Sequence, residues 1–208
     1  DLLLRGRFAA IWWPRIGLEL ASLVLIAFGG LEGLAAECAL ATLPGVLLTS
    51  SLTSHGAALV GVAGVGIVTD WLHILGATGW IGGLIAVLVG LPAVWRERAV
   101  LLRLLGRFSR FALLASAIVL VSGVAQAVFE VGSWSALLES GYGKLVLVKV
   151  GLLVGMVALA GFNTRYAGLD ASRGELRIAS LSVWAELALG VIVLGVASVL
   201  TGTPPASS

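Results

Sequence analysis

The sequence predicts an all-α, polytopic transmembrane helix bundle of about six helices, and three observations lead there. Of the 208 residues, 59% are hydrophobic and only 12% charged, with a mean hydropathy of +1.08. A soluble chain carries roughly a quarter charged residues to cover its surface, so the apolar surplus here must face lipid. The apolar residues run in long continuous stretches, unlike the short alternating segments of a membrane β-barrel. The 28 glycines suit helices packed closely in a bilayer, where small residues let backbones approach.

A helix needs about 20 mostly apolar residues to cross the hydrocarbon. The first two candidates, Ile16 to Leu31 with Glu19 and Cys38 to Ser54, are each a little short, yet together too long for one crossing. They read as two helices; one crossing plus an interfacial or re-entrant segment, five crossings in all, is the alternative. The third segment, Trp71 to Trp95, holds no formally charged residue and carries His73. The fourth is Phe111 to Phe129, the fifth Leu145 to Phe162 with Lys149, and the sixth Ile178 to Leu200 with Glu186. The chain reads as a single transmembrane domain, 1–208, whose first pair of helices lies within residues 1–49. It begins at Asp1, without Met and without a basic-then-apolar leader, so residues upstream are expected.

Composition excludes several classes. One cysteine, Cys38, rules out an intrachain disulfide. A net charge of +2 is no nucleic-acid signature, because the arginines gather between apolar runs, where orientation signals belong. No nucleophile–base arrangement, phosphate-binding glycine loop or pair of catalytic carboxylates stands out, so no enzyme is predicted.

Lys and Arg in short connections set the orientation. Arg96, Arg98, Arg103, Arg107 and Arg110 face one acid, Glu97, between the third and fourth segments; Arg165, Arg173 and Arg177 follow the fifth. Both connections are expected in the cytoplasm. The connection with Glu130, Trp134, Glu139 and Tyr142, and the tail at Thr203-Pro204-Pro205, then lie outside. Arg5, Arg7 and Arg15 outside and Glu32 and Glu37 inside run against the rule. Trp12, Trp13, Trp134 and Tyr142 read as interfacial belt residues.

Ionisable groups at membrane depth are costly and therefore functional candidates. His55 closes the second segment, Asp70 and His73 open the third, Gln126 and Glu130 end the fourth, and Lys149 lies about two turns into the fifth from the same side. All six are expected in the outer half. The inner half keeps Glu19, Glu186, Asn163 and the arginines. Asp70 and His73, three apart, project from one helix face, and a carboxylate there can fix the tautomer of a metal-ligating imidazole. Two imidazoles suit copper, zinc or haem iron better than magnesium or calcium. The plainer reading has His73 bonded to Asp70 or a backbone carbonyl and His55 solvated. Lys149 is read as the charge partner of Asp70 or Glu130. Glu186 and Asn163 are read as relay or structural groups, the structural role being favoured for Glu186. Gly79 and Gly83 form a small-xxx-small helix contact, and Met156 and Cys38 are read as packing residues.

The ordered series Thr53-Ser54-His55, Asp70-Trp71-Leu72-His73, Trp80-Ile81-Gly82-Gly83-Leu84, Arg107-Phe108-Ser109, Tyr142-Gly143-Lys144 with Lys149, Asn163, Glu186 and Thr203-Pro204-Pro205 resembles the copper-resistance protein D (CopD) family. That family comprises bacterial integral membrane proteins associated with copper import or handling. The resemblance covers residues 50–205, with residues 1–49 matching as generic preceding helices. It implies copper-handling histidines at His55 and His73, an inner-membrane location and copper transport or handling, with copper arriving from the periplasmic face. No Met-rich or His-rich segment is present, so the resemblance assigns metal capture to a separate periplasmic copper-binding protein or to a further domain. The pattern from His73 to Leu84 is also similar to a haem-binding membrane family involved in protoporphyrinogen oxidation. A b-type haem held by His55 and His73 is therefore the alternative, and a non-catalytic assembly or accessory subunit the third reading.

The orientation is testable in a Cys38→Ser background. Arg103→Cys should react with a membrane-impermeant thiol reagent only from the cytoplasmic side, and Ser135→Cys only from outside. Periplasmic labelling of Arg103→Cys would invert every depth assigned above.

Overall fold

A polypeptide in hydrocarbon must satisfy its backbone internally, and long apolar runs do so as helices. The structure, a computed structural model, describes residues 6–30, 32–54, 57, 61–94, 96–131, 133–166 and 173–203. These form α1 (Arg7–Gly29), α2 (Gly33–Ser51), α3 (Ala63–Val94), α4 (Arg98–Val131), α5 (Trp134–Glu139), α6 (Gly141–Tyr166) and α7 (Arg173–Thr201). Six of them, all but α5, are long and apolar enough to cross a membrane. The chain divides into two compact units, 1–75 and 76–208, with α3 running from one into the other.

In the first unit the N-terminal fifty residues make two full helices, which is the six-helix reading. Gly30 and Gly33, at φ of 79° and 68°, turn the chain between them through a region that side chains disfavour. The α1–α2 contact is built from small and hydroxyl side chains: Ser22 meets Thr42 directly, and a Cβ at Gly45 would stand 3.0 Å from Leu18 Cδ1. Ser22 also donates to the Leu18 carbonyl at 3.0 Å, and Thr42 to that of Ala39 at 2.7 Å, so neither hydroxyl is left bare in an apolar setting. Glu19 is paired one turn away with Arg15 at 2.9 Å, and the same guanidinium lies 5.8 Å from the Trp12 ring centroid. The opening of α3 is tied to α2 by the Trp71 indole, which donates to the Pro44 carbonyl at 2.8 Å.

The second unit is held by a stripe of glycines on α3. An added Cβ at Gly76 would lie 3.1 Å from the Ala115 carbonyl oxygen, at Gly79 3.1 Å from Phe111, and at Gly83 2.6 Å from Phe108. The expected Gly79/Gly83 contact is present, and Gly76 extends it by a turn. Around it Trp80, Leu84, Val87, Leu101, Leu105, Ala112, Ala115, Val119, Leu153, Met156, Ala160, Val183 and Val193 form one buried cluster. A smaller cluster of Val131, Tyr142 and Val146, with Leu200 against it, closes one end.

Several helices exceed their sequence boundaries. The α3 helix begins at Ala63, not Trp71, and α4 at Arg98, not Phe111. At about 1.5 Å per residue, α3 and α4 are each roughly 50 Å long, against about 30 Å of hydrocarbon. Arg98, Arg103, Arg107 and Arg110 therefore sit on helix rather than in a loop, which leaves Arg96 and Glu97 as the connection. Tyr142, read as a belt residue, is buried; Trp13 and Trp134 are exposed as expected. The connection before α6 contains the short α5, whose N-cap Ser133 accepts from the Ala136 amide at 3.2 Å. Ser140 caps α6 in turn, accepting from the Gly143 amide at 2.9 Å.

Gly143 is where α5 and α6 meet backbone to backbone. A Cβ there would stand 2.5 Å from the Ala136 carbonyl oxygen and 2.6 Å from the Leu137 carbonyl carbon, neither of which can rotate away. Gly143→Ala should destabilise the protein by about 1–3 kcal/mol through overpacking. Gly141→Ala, with nothing within 4 Å, should be neutral by comparison. Thermal unfolding of the two variants in detergent decides it, and equal melting temperatures would refute the close approach.

Candidate metal site and polar layers

The sequence-predicted site residues fall into both units. In the first, Asp70 and His73 lie in α3, and the earlier start of that helix sets them further from its N-terminus than expected. They are seven and ten residues past Ala63, or about 10 and 15 Å along the axis. His73 is buried and Asp70 partly exposed. The imidazole is not free but interacts with the surrounding protein. Between them in sequence, Trp71 anchors this turn of α3 to Pro44, so the bond that joins α3 to α2 also fixes the rotation of the His73 face.

Further along α2, Thr49 and Ser51 are buried. Thr49 donates to the Val46 carbonyl at 2.6 Å, while the Ser51 hydroxyl has no hydrogen-bond partner among the described residues. The described chain then continues through turns to Ser54. His55 follows and lies outside the described residues.

In the second unit, Gln126 and Lys149 belong to α4 and α6, which pack against each other beside the Val131–Tyr142–Val146 cluster. Gln126 is five residues back from Val131 and Lys149 three on from Val146, about 7 and 5 Å along their axes. Both lie on the interior side of that cluster and at similar depth. The Gln126 Nε2 is buried with no hydrogen-bond partner among the described residues; Lys149 is half-buried and interacts with the protein around it. For Glu130 and Asn163 only the helical backbone, in α4 and α6, is described.

Glu186 stands apart from this layer. On α7 it is fourteen residues from Leu200, about 21 Å along the axis, and it is 1% exposed. It too interacts with the surrounding protein. On the same face, Ser182 one turn before it is buried with its hydroxyl unpartnered among the described residues. One turn after it, a Cβ at Gly190 would stand 3.6 Å from Met156 Cε and 3.7 Å from Ile81 Cγ1. The indole nitrogen of Trp80, beside Ile81 in sequence, is likewise buried and unpartnered among the described residues. Sequence reasoning missed Ser182 altogether and met Trp80 only as part of the Trp80–Leu84 motif, because only packing shows that their polar atoms are shut away from partners.

Among the described residues, no three His, Cys, Asp or Glu side chains gather as a preformed metal cage. Of the candidate groups, Asp70 and His73 share α3, whereas Glu186 lies on α7.

Residues 102–200, from α4 through nearly all of α7, match the family described as Copper resistance protein D. The chain is 35% identical over 162 residues to the Copper transport protein CutJ of Bacillus subtilis (strain 168), an alignment covering 77% of this chain and 29% of that protein. It is 33% identical over 200 residues to Copper resistance protein D of Pseudomonas syringae pv. tomato, covering 88% of this chain and 64% of the relative. To the Inner membrane protein YebZ of Escherichia coli (strain K12) it is 35% identical over 141 residues, or 64% and 47% of the two chains. It thus spans less than two thirds of the length of each of these relatives. No solved structure matches it. Its α4–α7 segment, residues 102–200, is thus similar to the copper resistance protein D family, and the match takes in just under half of the chain.

Proposed function

We propose that this chain is the membrane-embedded part of a bacterial inner-membrane copper transport or copper-handling protein, and that copper reaches it from the periplasmic face at His73 and His55. The observation that carries this reading is His73: a buried imidazole in a helix otherwise almost free of ionisable groups, one turn from a carboxylate, in a chain similar to proteins named for copper transport and resistance. An imidazole at membrane depth needs a compensating role, and copper is among the ions that imidazole suits best. Asp70 acts on the same face, where it orients the ring and raises its basicity toward a metal.

In this reading the bundle is a carrier or conduit and not a catalyst. Copper is its cargo. A periplasmic copper-binding protein, or a domain beyond this chain, delivers the ion. The outer position of the histidines rests on the charge pattern of the connections, with the arginine-bearing start of α4 in the cytoplasm. No observation favours the haem alternative over copper.

Metal analysis of the purified protein tests the proposal. After equilibration with copper, the wild type should retain the ion, and His73→Ala or His55→Ala should each lose most of the affinity, since two imidazoles leave little redundancy. Asp70→Asn should weaken binding less, by about 10–100-fold, because an orienting group is lost while the ligand remains. Copper retention unchanged in His73→Ala would sink the assignment, as would a Soret band in the visible spectrum of the protein as isolated.

A further inference from the structure

Met156 is the chain's one methionine, and it is 2% exposed in the centre of the second unit. Its thioether end abuts α7 at Gly190, where a Cβ would lie 3.6 Å from Met156 Cε. Glu186 stands one helical turn from that contact on the same face of α7, about 5.4 Å along the axis, and is 1% exposed. Val183 and Val193, which flank Glu186 along this face, pack in the same cluster as Met156 and Trp80. A further turn along, Ser182 offers a buried hydroxyl oxygen that has no partner among the described residues.

The geometry points to a second cation site inside the bundle, formed by the Met156 thioether and the Glu186 carboxylate with Ser182 at its edge, and selective for a soft monovalent cation, Cu(I). This inference rests on the copper reading above but concerns different residues on different helices. Two arguments converge on the class of ion. A thioether is a soft ligand and selects Cu(I) over the hard cations that oxygen ligands prefer. The carboxylate beside it keeps donor capacity besides the interaction Glu186 already makes with the protein, because a carboxylate presents about four lone-pair directions.

The single methionine makes the test specific. The full chain, carrying Cys38→Ser and selenomethionine at position 156, is loaded with Cu(I) under reductant and measured at the selenium absorption edge. A selenium–copper shell at bonding distance is expected. The shell should persist in His73→Ala and be lost or reduced at least tenfold in Glu186→Gln, with no shell after loading with Cu(II) or Zn(II). Met156→Leu, which conserves volume, should keep its melting temperature and lose one equivalent of Cu(I). Bound copper with no selenium–copper shell would overturn this site while leaving the histidine proposal standing. Failure to bind copper at all would overturn both.

Discussion

The interaction on which this structure depends is the close approach of α3 and α4 along Gly76, Gly79 and Gly83. In water, helices associate because their apolar faces leave solvent; in lipid that gain vanishes, since the surroundings are as apolar as leucine. Cohesion must come from contact density, and contact density from backbone proximity. Here Phe108, Phe111, Ala115 and Val119 occupy the space that three side chains on α3 would have filled. With α4 seated, Trp80 and Leu84 are left almost wholly enclosed, and α6 and α7 add Met156, Ala160, Val183 and Val193 to the same cluster.

The same solvent rule governs the polar groups. Hydroxyls in the helices turn back on their own backbone, as Ser116 does to Leu113 at 2.9 Å and Ser122 to Ile118 at 2.6 Å, a cheap solution that needs no partner helix. Within α1, two charged groups one turn apart pair with each other, Arg15 with Glu19. What remains after these local solutions is a short set of buried polar groups: the His73 imidazole and the Glu186 carboxylate, which interact with the surrounding protein, and Gln126 Nε2, the Trp80 indole nitrogen and the Ser182 hydroxyl, which have no hydrogen-bond partner among the described residues. Buried polar groups of this kind are costly in lipid, and three of the five, His73, Trp80 and Glu186, fall in the motifs on which the family resemblance rests.

The existence of the helices was legible in the sequence, and their ends were not. Hydropathy reports contact with lipid, whereas helicity continues wherever the backbone can, so the arginine-bearing start of α4 and the Ala63–Asp70 start of α3 escaped a reading based on apolar runs. The Gly79/Gly83 contact could be read because its spacing matches one turn. The Trp71–Pro44 bond could not, since nothing local links residues 27 positions apart. At the candidate site, the Asp70–His73 spacing was legible because it is local. The burial of Tyr142 and the meeting of Met156 with α7 depend on how helices pack, and no spacing within one segment encodes that.

Depth along the bundle adds a chemical gradient to these positions. In the second unit the layer nearest the Val131–Tyr142–Val146 cluster holds the Gln126 amide and the Lys149 amine. About 10 Å deeper, seven residues along α6 from Lys149, the groups change to a thioether and a carboxylate. For the copper cargo proposed above, such sparse layers would offer donors one or two at a time, the regime in which soft-ligand preference rather than pore size sets selectivity.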